Sequence, residues 1–375
     1  MEKIVIACQS CGYLIKDIVN VYADKDYEVT IMASRKSIDG IKDSLSAGIT
    51  TSVVISYDRS SSIKRILTWG ICALQMLFKI GFSYRNSQVL YVSNPPFAPL
   101  LPLFLRNSFS VLIWDIYPDV LINQNVIAEN NFIAKWWERA NKKVYKKAVC
   151  VYTLSVGMKK CLEKYVDEKK IKVVPLWPDN SNLHLIEKYD NLFLKQSHLE
   201  GKFIVMYSGN MGDTHRMDVL VDVAKQITDE EIVFVLIGEG GKKKLIEKRI
   251  SDENVKNVLL FPYQPYDFLS HSLSAADLAV ITLDSVSSQM SVPSKTFNMM
   301  SLGKPLLCIA SPDSELGAIV KTFDVGKIFP PEDVVGMTDF VLTLKSDEIV
   351  KTQYSNNSLE ASKSFNVENA KLFLA

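Results

Sequence analysis

Four short stretches in the second half of this 375-residue chain carry residue types that can grip a phosphorylated ligand. The first is Ser208-Gly209-Asn210-Met211-Gly212-Asp213-Thr214-His215-Arg216, between an apolar run at 203–207 and a helical pattern at 217–226. Glycines at a strand-to-helix turn let backbone N–H groups approach an anion, and the amino end of the helix adds a favourable field. His215 or Arg216 would add positive charge. A tight structural turn asks for the same glycines. The second stretch, Gly238-Glu239-Gly240-Gly241, follows the run 232–237, and the third, Phe261-Pro262-Tyr263-Gln264, ends the run 258–261, where exposed backbone can pair with a flat base. The fourth is Ser291-Val292-Pro293-Ser294-Lys295-Thr296-Phe297-Asn298, leading through a helix to Gly303-Lys304-Pro305. Ser294, Lys295 and the helix start suit phosphate oxygens. All four close successive strands at one edge, where doubly wound sheets bind nucleotides.

Other chemistries fit poorly. Cys8-Gln-Ser-Cys11 has the C-x-x-C form of a redox pair, but the six cysteines lie mostly in apolar strands and helices, as reduced cytoplasmic thiols do. The four histidines (184, 198, 215, 271) form no H-E-x-x-H or clustered metal-ligand spacing. A net charge of +1 argues against a nucleic-acid partner. The charge is unevenly spread: residues 1–180 hold 24 Lys+Arg against 16 Asp+Glu, the remainder 19 against 26. A basic first half facing an anionic surface or acceptor explains this, as do solvated faces that merely differ.

The elements that must position these residues alternate from end to end. Short Val- and Ile-rich runs at 3–7, 27–32, 51–55, 89–92, 111–114 and 149–153 predict buried parallel strands, with helices between them at 62–80 and 133–147. A second series starts near residue 203, with strands at 203–207, 232–237, 258–261, 278–281 and 306–309. The stretch 175–201, with Pro175, Pro178 and a polar run, reads as a hinge. The fold class is therefore α/β: two Rossmann-like, doubly wound parallel-sheet domains facing across a cleft. The first residues form a strand entering a turn, unlike a signal peptide, and no 18-residue uninterrupted apolar window predicts a spanning helix.

The order of the pieces resembles the family 4 glycosyltransferases of the GT-B architecture. SGNMG, FVLIGEGG, NVLLFPYQP, SAADLAVITL and VPSKTFNMMSLGKP are similar to that family's donor half. YVSNPPFAPLL, VLIWDIYPDVL, VYTLSVGMKKCL and IKVVPLWPDNSN are similar to its branch for capsule, O-antigen and colanic-acid-like polymers. The resemblance implies an acceptor-binding, membrane-facing domain at 1–180, a linker at 181–200 and a nucleotide-sugar domain at 201–355. A C-terminal helix at 356–375 is expected to return to the first domain. It also implies a UDP-hexose or UDP-N-acetylhexosamine donor, a polyprenyl-diphosphate-linked saccharide acceptor, retention of configuration and no metal or other cofactor. The expected donor contacts are Gly209, Asn210, Met211, Gly212, Arg216, Gly238, Tyr263, Gln264, Ser294, Lys295 and Asn298. The expected acceptor contacts are Ser10, Gly12, Asn94, Trp114 and Tyr117.

The chain departs from the family where two glutamates usually stand eight residues apart; here Met290 and Asn298 occupy those places. Methionine cannot replace the first, whereas Asn298 can still hydrogen-bond to a ribose. Asn210 stands in place of the common arginine and His215 in place of the usual lysine. For an acid–base group the first half offers no histidine, so Asp115, following the strand 111–114, is the natural candidate to orient or deprotonate an acceptor hydroxyl. Asp115 could equally pin its own loop before Pro118. Asp119 is a weaker rival.

Residues 133–147 contain six basic residues and one acid. A basic amphipathic helix with Lys135, Trp136, Trp137, Arg139, Lys142, Lys143 and Lys146 suits an anionic headgroup layer, or else a solvated helix with its tryptophans in a core. Residues 62–82, with Trp69, Leu74, Leu77 and Phe78, could similarly dip into lipid. The implied place is the cytoplasm, peripheral to the inner face of a bacterial membrane, with other polysaccharide synthesis proteins as further partners. Two alternatives stand beside the enzyme: a non-catalytic binding subunit, and a sugar-nucleotide 2-epimerase of the same architecture.

Overall fold

The computed structural model describes residues 1–58, 60–123, 126–179, 183–212, 215–284 and 292–374. The chain divides into two compact units. Unit 1 comprises Met1–Pro175 and Val367–Ala375; unit 2 comprises Leu176–Asn366.

Unit 1 is built on seven parallel strands: β1 (Lys3–Ala7), β2 (Glu28–Ser34), β3 (Thr50–Val54), β4 (Gln88–Val92), β5 (Phe109–Ile113), β6 (Val151–Thr153) and β7 (Ile171–Val173). Their order is β3-β2-β1-β4-β5-β6-β7. Ile4 lies opposite Val29 on one side and Gln88 on the other, which fixes the central register. Alternation along a strand sends neighbouring side chains to opposite faces. Val5 and Ala7 accordingly join the core under the helices Ser62–Ser83 and Phe132–Lys147, together with Met76, Ile80, Val144 and Tyr145. The helix Tyr13–Ala23 packs against the terminal 3₁₀ segment Val367–Leu374. There the Tyr22 and Tyr152 hydroxyls both donate to the Phe373 carbonyl, at 2.6 and 3.2 Å.

Unit 2 has six parallel strands: β8 (Phe203–Ser208), β9 (Ile232–Ile237), β10 (Val258–Phe261), β11 (Leu278–Thr282), β12 (Leu306–Ile309) and β13 (Gly326–Phe329), in the order β10-β9-β8-β11-β12-β13. β9 is buried along its whole length, as a central strand covered on both faces must be. In both sheets the order reverses beside the first strand, between β1 and β4 and between β8 and β11. That is the position at which open α/β sheets leave a crevice for ligands.

The boundaries differ from those expected. The division falls at Pro175, not 180, and residues 183–200 are no free linker. The Ser270 and Ser274 hydroxyls accept from the backbone N–H groups of His184 and Ile186, and Phe193 and Leu194 are buried. The helix Glu348–Ser362 belongs to unit 2, so only the segment from Val367 onward joins unit 1. Two strands, β7 and β13, lie at sheet edges and were not anticipated; Lys172 and Lys327 interrupt their short apolar runs.

Candidate functional site

At the carboxyl edge of unit 2 the first two glycine turns zip onto each other. Gly209 N–H donates to the Ile237 carbonyl at 2.9 Å, Met211 N–H to Glu239 at 2.8 Å, and Lys242 N–H back to Met211 at 2.9 Å. Gly238 N–H continues the pattern to Phe261 at 3.0 Å. The glycines permit this approach. A Cβ on Gly238, which has φ of +149°, would stand 1.9 Å from the Gly209 carbonyl oxygen. The amides of Gly209, Met211 and Gly238, expected to meet a phosphate, are thus already engaged. Met211 is fully buried, so its side chain belongs to the core and not to a ligand surface.

The positive charge of this edge comes from Lys295. It lies in the first turn of the helix Ser294–Ser301, whose N-cap, Pro293, offers no side-chain cap to the open N–H groups. Its Nζ is buried and has no hydrogen-bond partner among the described residues. The ammonium sits 3.8 Å from the centre of the Tyr207 ring and 2.6 Å from where a Cβ on Gly209 would stand. Tyr207, which sequence reasoning did not single out, is fixed by its hydroxyl donating to the Asn210 carbonyl at 2.6 Å. The ring's negative face partly compensates the cation, yet desolvation still lowers the Lys295 pKa to about 7. One turn further on, the Asn298 Oδ1 and the Thr296 hydroxyl are also buried with no hydrogen-bond partner among the described residues.

Arg216, expected beside the phosphate, is placed otherwise. Its guanidinium grips Asp218, with Nη2 2.9 Å from Oδ2 and Nε 3.2 Å from both oxygens. Gln264 folds back so that its Nε2 donates to the Pro262 carbonyl, while Tyr263 is half exposed. Asn210 and Ser294 are exposed, and Gly212 is partly so. Met290, Ser291, Asp213 and Thr214 lie outside the described residues.

The carboxyl edge of unit 1 has a different character. The β1 turn and the turn after β4 are joined by Gln9 N–H donating to the Asn94 carbonyl at 2.6 Å. Gln9 Oε1 and Asn94 Oδ1 are buried with no hydrogen-bond partner among the described residues. Ser10 and Gly12 lie at the rim of the same turn, the first partly exposed and the second exposed. The Ser93 hydroxyl, another residue not anticipated, accepts from Trp114 N–H at 2.9 Å and Asp115 N–H at 3.3 Å, and so aims the loop that follows β5. Asp115 is exposed, yet enough protein surrounds its carboxyl to raise the pKa through desolvation. The carboxylate of Asp119, the weaker rival, is already engaged by Tyr165 and Lys164.

Behind Asp115 runs a row of five aromatic rings. Tyr57 stacks on Trp69 at 5.6 Å, Trp69 meets Tyr117 edge-on at 6.4 Å, Tyr117 stacks on Trp137 at 5.6 Å, and Trp137 on Phe97 at 5.3 Å. Trp137, expected at a membrane, is therefore a buried core residue. The pattern misled because two adjacent tryptophans point 100° apart on a helix, and only Trp136 faces outward. Lys135, Arg139, Lys142, Lys143 and Lys146 are exposed as anticipated. Cys8 and Cys11 are unbonded thiols with pKa values raised mainly by burial. Among the described residues, no three His, Cys, Asp or Glu side chains are grouped to hold a metal.

Comparison with known proteins matches residues 189–361 to the family described as Glycosyl transferases group 1. The probable glycosyltransferase WbjE of Pseudomonas aeruginosa is 23% identical over 330 residues, covering 83% of this chain and 81% of WbjE. WcaI of Escherichia coli, named for colanic acid biosynthesis, is 26% identical over 209 residues, 54% of this chain and 51% of WcaI. Among solved structures, Anabaena Alr3699/HepE in complex with UDP-glucose superimposes with a TM-score of 0.75 at 14% identity, covering 100% of this chain and 98% of that one. The fold is that of the GT-B glycosyltransferases.

Proposed function

Because this chain belongs to the glycosyl transferases group 1 family and is a glycosyltransferase, we propose that it transfers a hexose or N-acetylhexosamine from a UDP-sugar to a polyprenyl-diphosphate-linked saccharide. The product extends a bacterial surface polysaccharide, and the enzyme works at the inner face of the membrane. The buried ammonium of Lys295 at the β8–β11 reversal, with no hydrogen-bond partner among the described residues, carries this reading. A desolvated cation without a counter-ion is costly unless an anion arrives to pair with it. A nucleotide diphosphate is such an anion, and the solved relative with UDP-glucose supports uridine as its base. The name of WcaI supports polysaccharide assembly as the setting.

In the proposed reaction the bond between the sugar's anomeric carbon and the β-phosphate oxygen breaks. A bond from an acceptor hydroxyl oxygen to the same carbon forms, with retention and without a protein nucleophile. Lys295 stabilises the negative charge that develops on the departing diphosphate. Asp115 receives the hydroxyl proton, and desolvation strengthens its carboxylate as a base. The open N–H groups at the start of the helix Ser294–Ser301 add donors, and Asn298 Oδ1 is available to a ribose hydroxyl. With that charge supplied by the protein, the reaction calls on no metal.

Calorimetry with UDP, UDP-glucose and UDP-N-acetylglucosamine tests the reading. It is followed by mass spectrometry of polyprenyl-diphosphate saccharides incubated with the donor that binds. Micromolar binding and a mass gain of one sugar are expected. A protein that binds none of the three nucleotides is no transferase of the proposed kind.

A further inference from the structure

The helix Ser62–Ser83 has two apolar sides. One supplies Cys72, Ala73, Met76 and Ile80 to the unit 1 core. The other presents Ile63, Leu67, Ile71, Leu74, Phe78 and Phe82 to solvent, with Ile63 73% and Phe82 80% exposed. Steps of three and four residues align these six in one stripe along the helix. At 1.5 Å per residue the 22-residue helix is about 33 Å long. An unpaired apolar strip on that scale marks a docking surface. By length and composition the helix could also cross a bilayer. Its inner side is locked into the sheet's core, so it lies along a surface instead.

Two observations identify that surface. The stripe has no hydrogen-bonding side chain within it, whereas protein interfaces carry about one hydrogen bond per 100–200 Å². Acyl chains ask for none. The surroundings are cationic: residues 59–114 contain six Lys or Arg and no Asp or Glu. The helix Phe132–Lys147 packs over the same face of the sheet, since both helices feed one core cluster. Outward it shows Trp136 and the exposed cations Lys135, Arg139, Lys142 and Lys146.

We infer that the outward faces of the helices Ser62–Ser83 and Phe132–Lys147 together form an in-plane docking surface for an anionic lipid bilayer. The first inserts its apolar stripe at the acyl boundary and the second pairs its cations with headgroups. This deepens the proposed function, because a lipid-linked acceptor is met at that boundary. The sequence pattern offered both roles to both helices. The structure divides them.

The test is co-sedimentation of the full chain with vesicles of 30% phosphatidylglycerol in phosphatidylcholine, against pure phosphatidylcholine. The variant Leu67→Glu/Leu74→Glu/Phe78→Glu, changed only at exposed positions, should lose at least about tenfold in partitioning. The variant Lys135→Ser/Arg139→Ser/Lys142→Ser/Lys146→Ser should lose the preference for anionic vesicles and its salt sensitivity. Both should keep wild-type UDP affinity and wild-type transfer to a water-soluble acceptor, readouts on which the proposed function stands or falls separately. Unchanged sedimentation of the apolar triple variant overturns the inference, as does a wild type that ignores anionic vesicles. A lipid-free dimer that the triple variant dissociates overturns it too, since the stripe would then join two copies.

Discussion

At the carboxyl end of the unit 1 sheet a solvent-facing carboxylate, Asp115, stands beside five aromatic rings; at that of unit 2 an ammonium, Lys295, is sealed beneath a glycine turn. The two edges share strand order around the reversal point and turn chemistry, yet they solve opposite electrostatic problems. In unit 2 the Lys295 ammonium meets a ring face but no hydrogen-bonding partner among the described residues, an arrangement preorganised for an anion. Unit 1 keeps an exposed residue whose carboxyl is partly desolvated, with flat apolar ring faces nearby, which suits the hydroxylated ligand proposed for it. A common architecture therefore leaves ligand class to a few side chains at one edge.

The sharpest way to break the contrast is at the base. Asp115→Asn should lower kcat by about 10²- to 10⁴-fold, with UDP affinity in calorimetry unchanged. If turnover survives, the proton leaves by another route and unit 1 merely orients the acceptor.

Next comes the cation. Lys295→Met should weaken UDP binding by roughly 10- to 100-fold, the worth of a charge-assisted hydrogen bond. It should also raise the melting temperature of the ligand-free protein, because an uncompensated buried charge is removed. The sign follows from linkage. The folded-state pKa is near 7 and the unfolded value is 10.5, so the unfolded chain holds the extra proton between those limits. Lys295 thus penalises folding fully below pH 7, and the penalty fades as pH rises toward 10.5. The variant's thermal advantage should be largest in acid and vanish above that window. UDP binding at pH 8 should take up a proton, visible as a dependence of the measured heat on buffer ionisation enthalpy.

The smallest effect sharpens the comparison within unit 2. Arg216→Ala should change UDP affinity by less than about threefold, since its guanidinium already serves Asp218 and exposed pairs are worth about 0–1 kcal/mol. A loss as large as that of Lys295→Met would mean that Arg216 leaves Asp218 when donor binds.

Much of this was legible in the chain. The strands 3–7, 232–237 and 306–309 stand where their Val, Ile and Leu runs predict, because strands covered on both faces show continuous apolar sequence. Lys295 was visible as a basic residue at a helix start. Its burial was not, since that depends on Tyr207 and Gly209 some ninety residues away. The pairing of Arg216 with Asp218 was hidden for a related reason: the partner is two residues along the chain, but pairing requires the turn geometry before the helix. Sequence also overstated the glycine turns as amide donors, because the loops satisfy one another through contacts between separate segments.

The Val367–Leu374 segment completes a unit whose other pieces end at Pro175. On a ribosome, then, the hydroxyls of Tyr22 and Tyr152 lack their shared acceptor until about two hundred further residues have emerged. The half of the protein made first is the half finished last, and for most of translation it waits with a seam open along one side of its sheet.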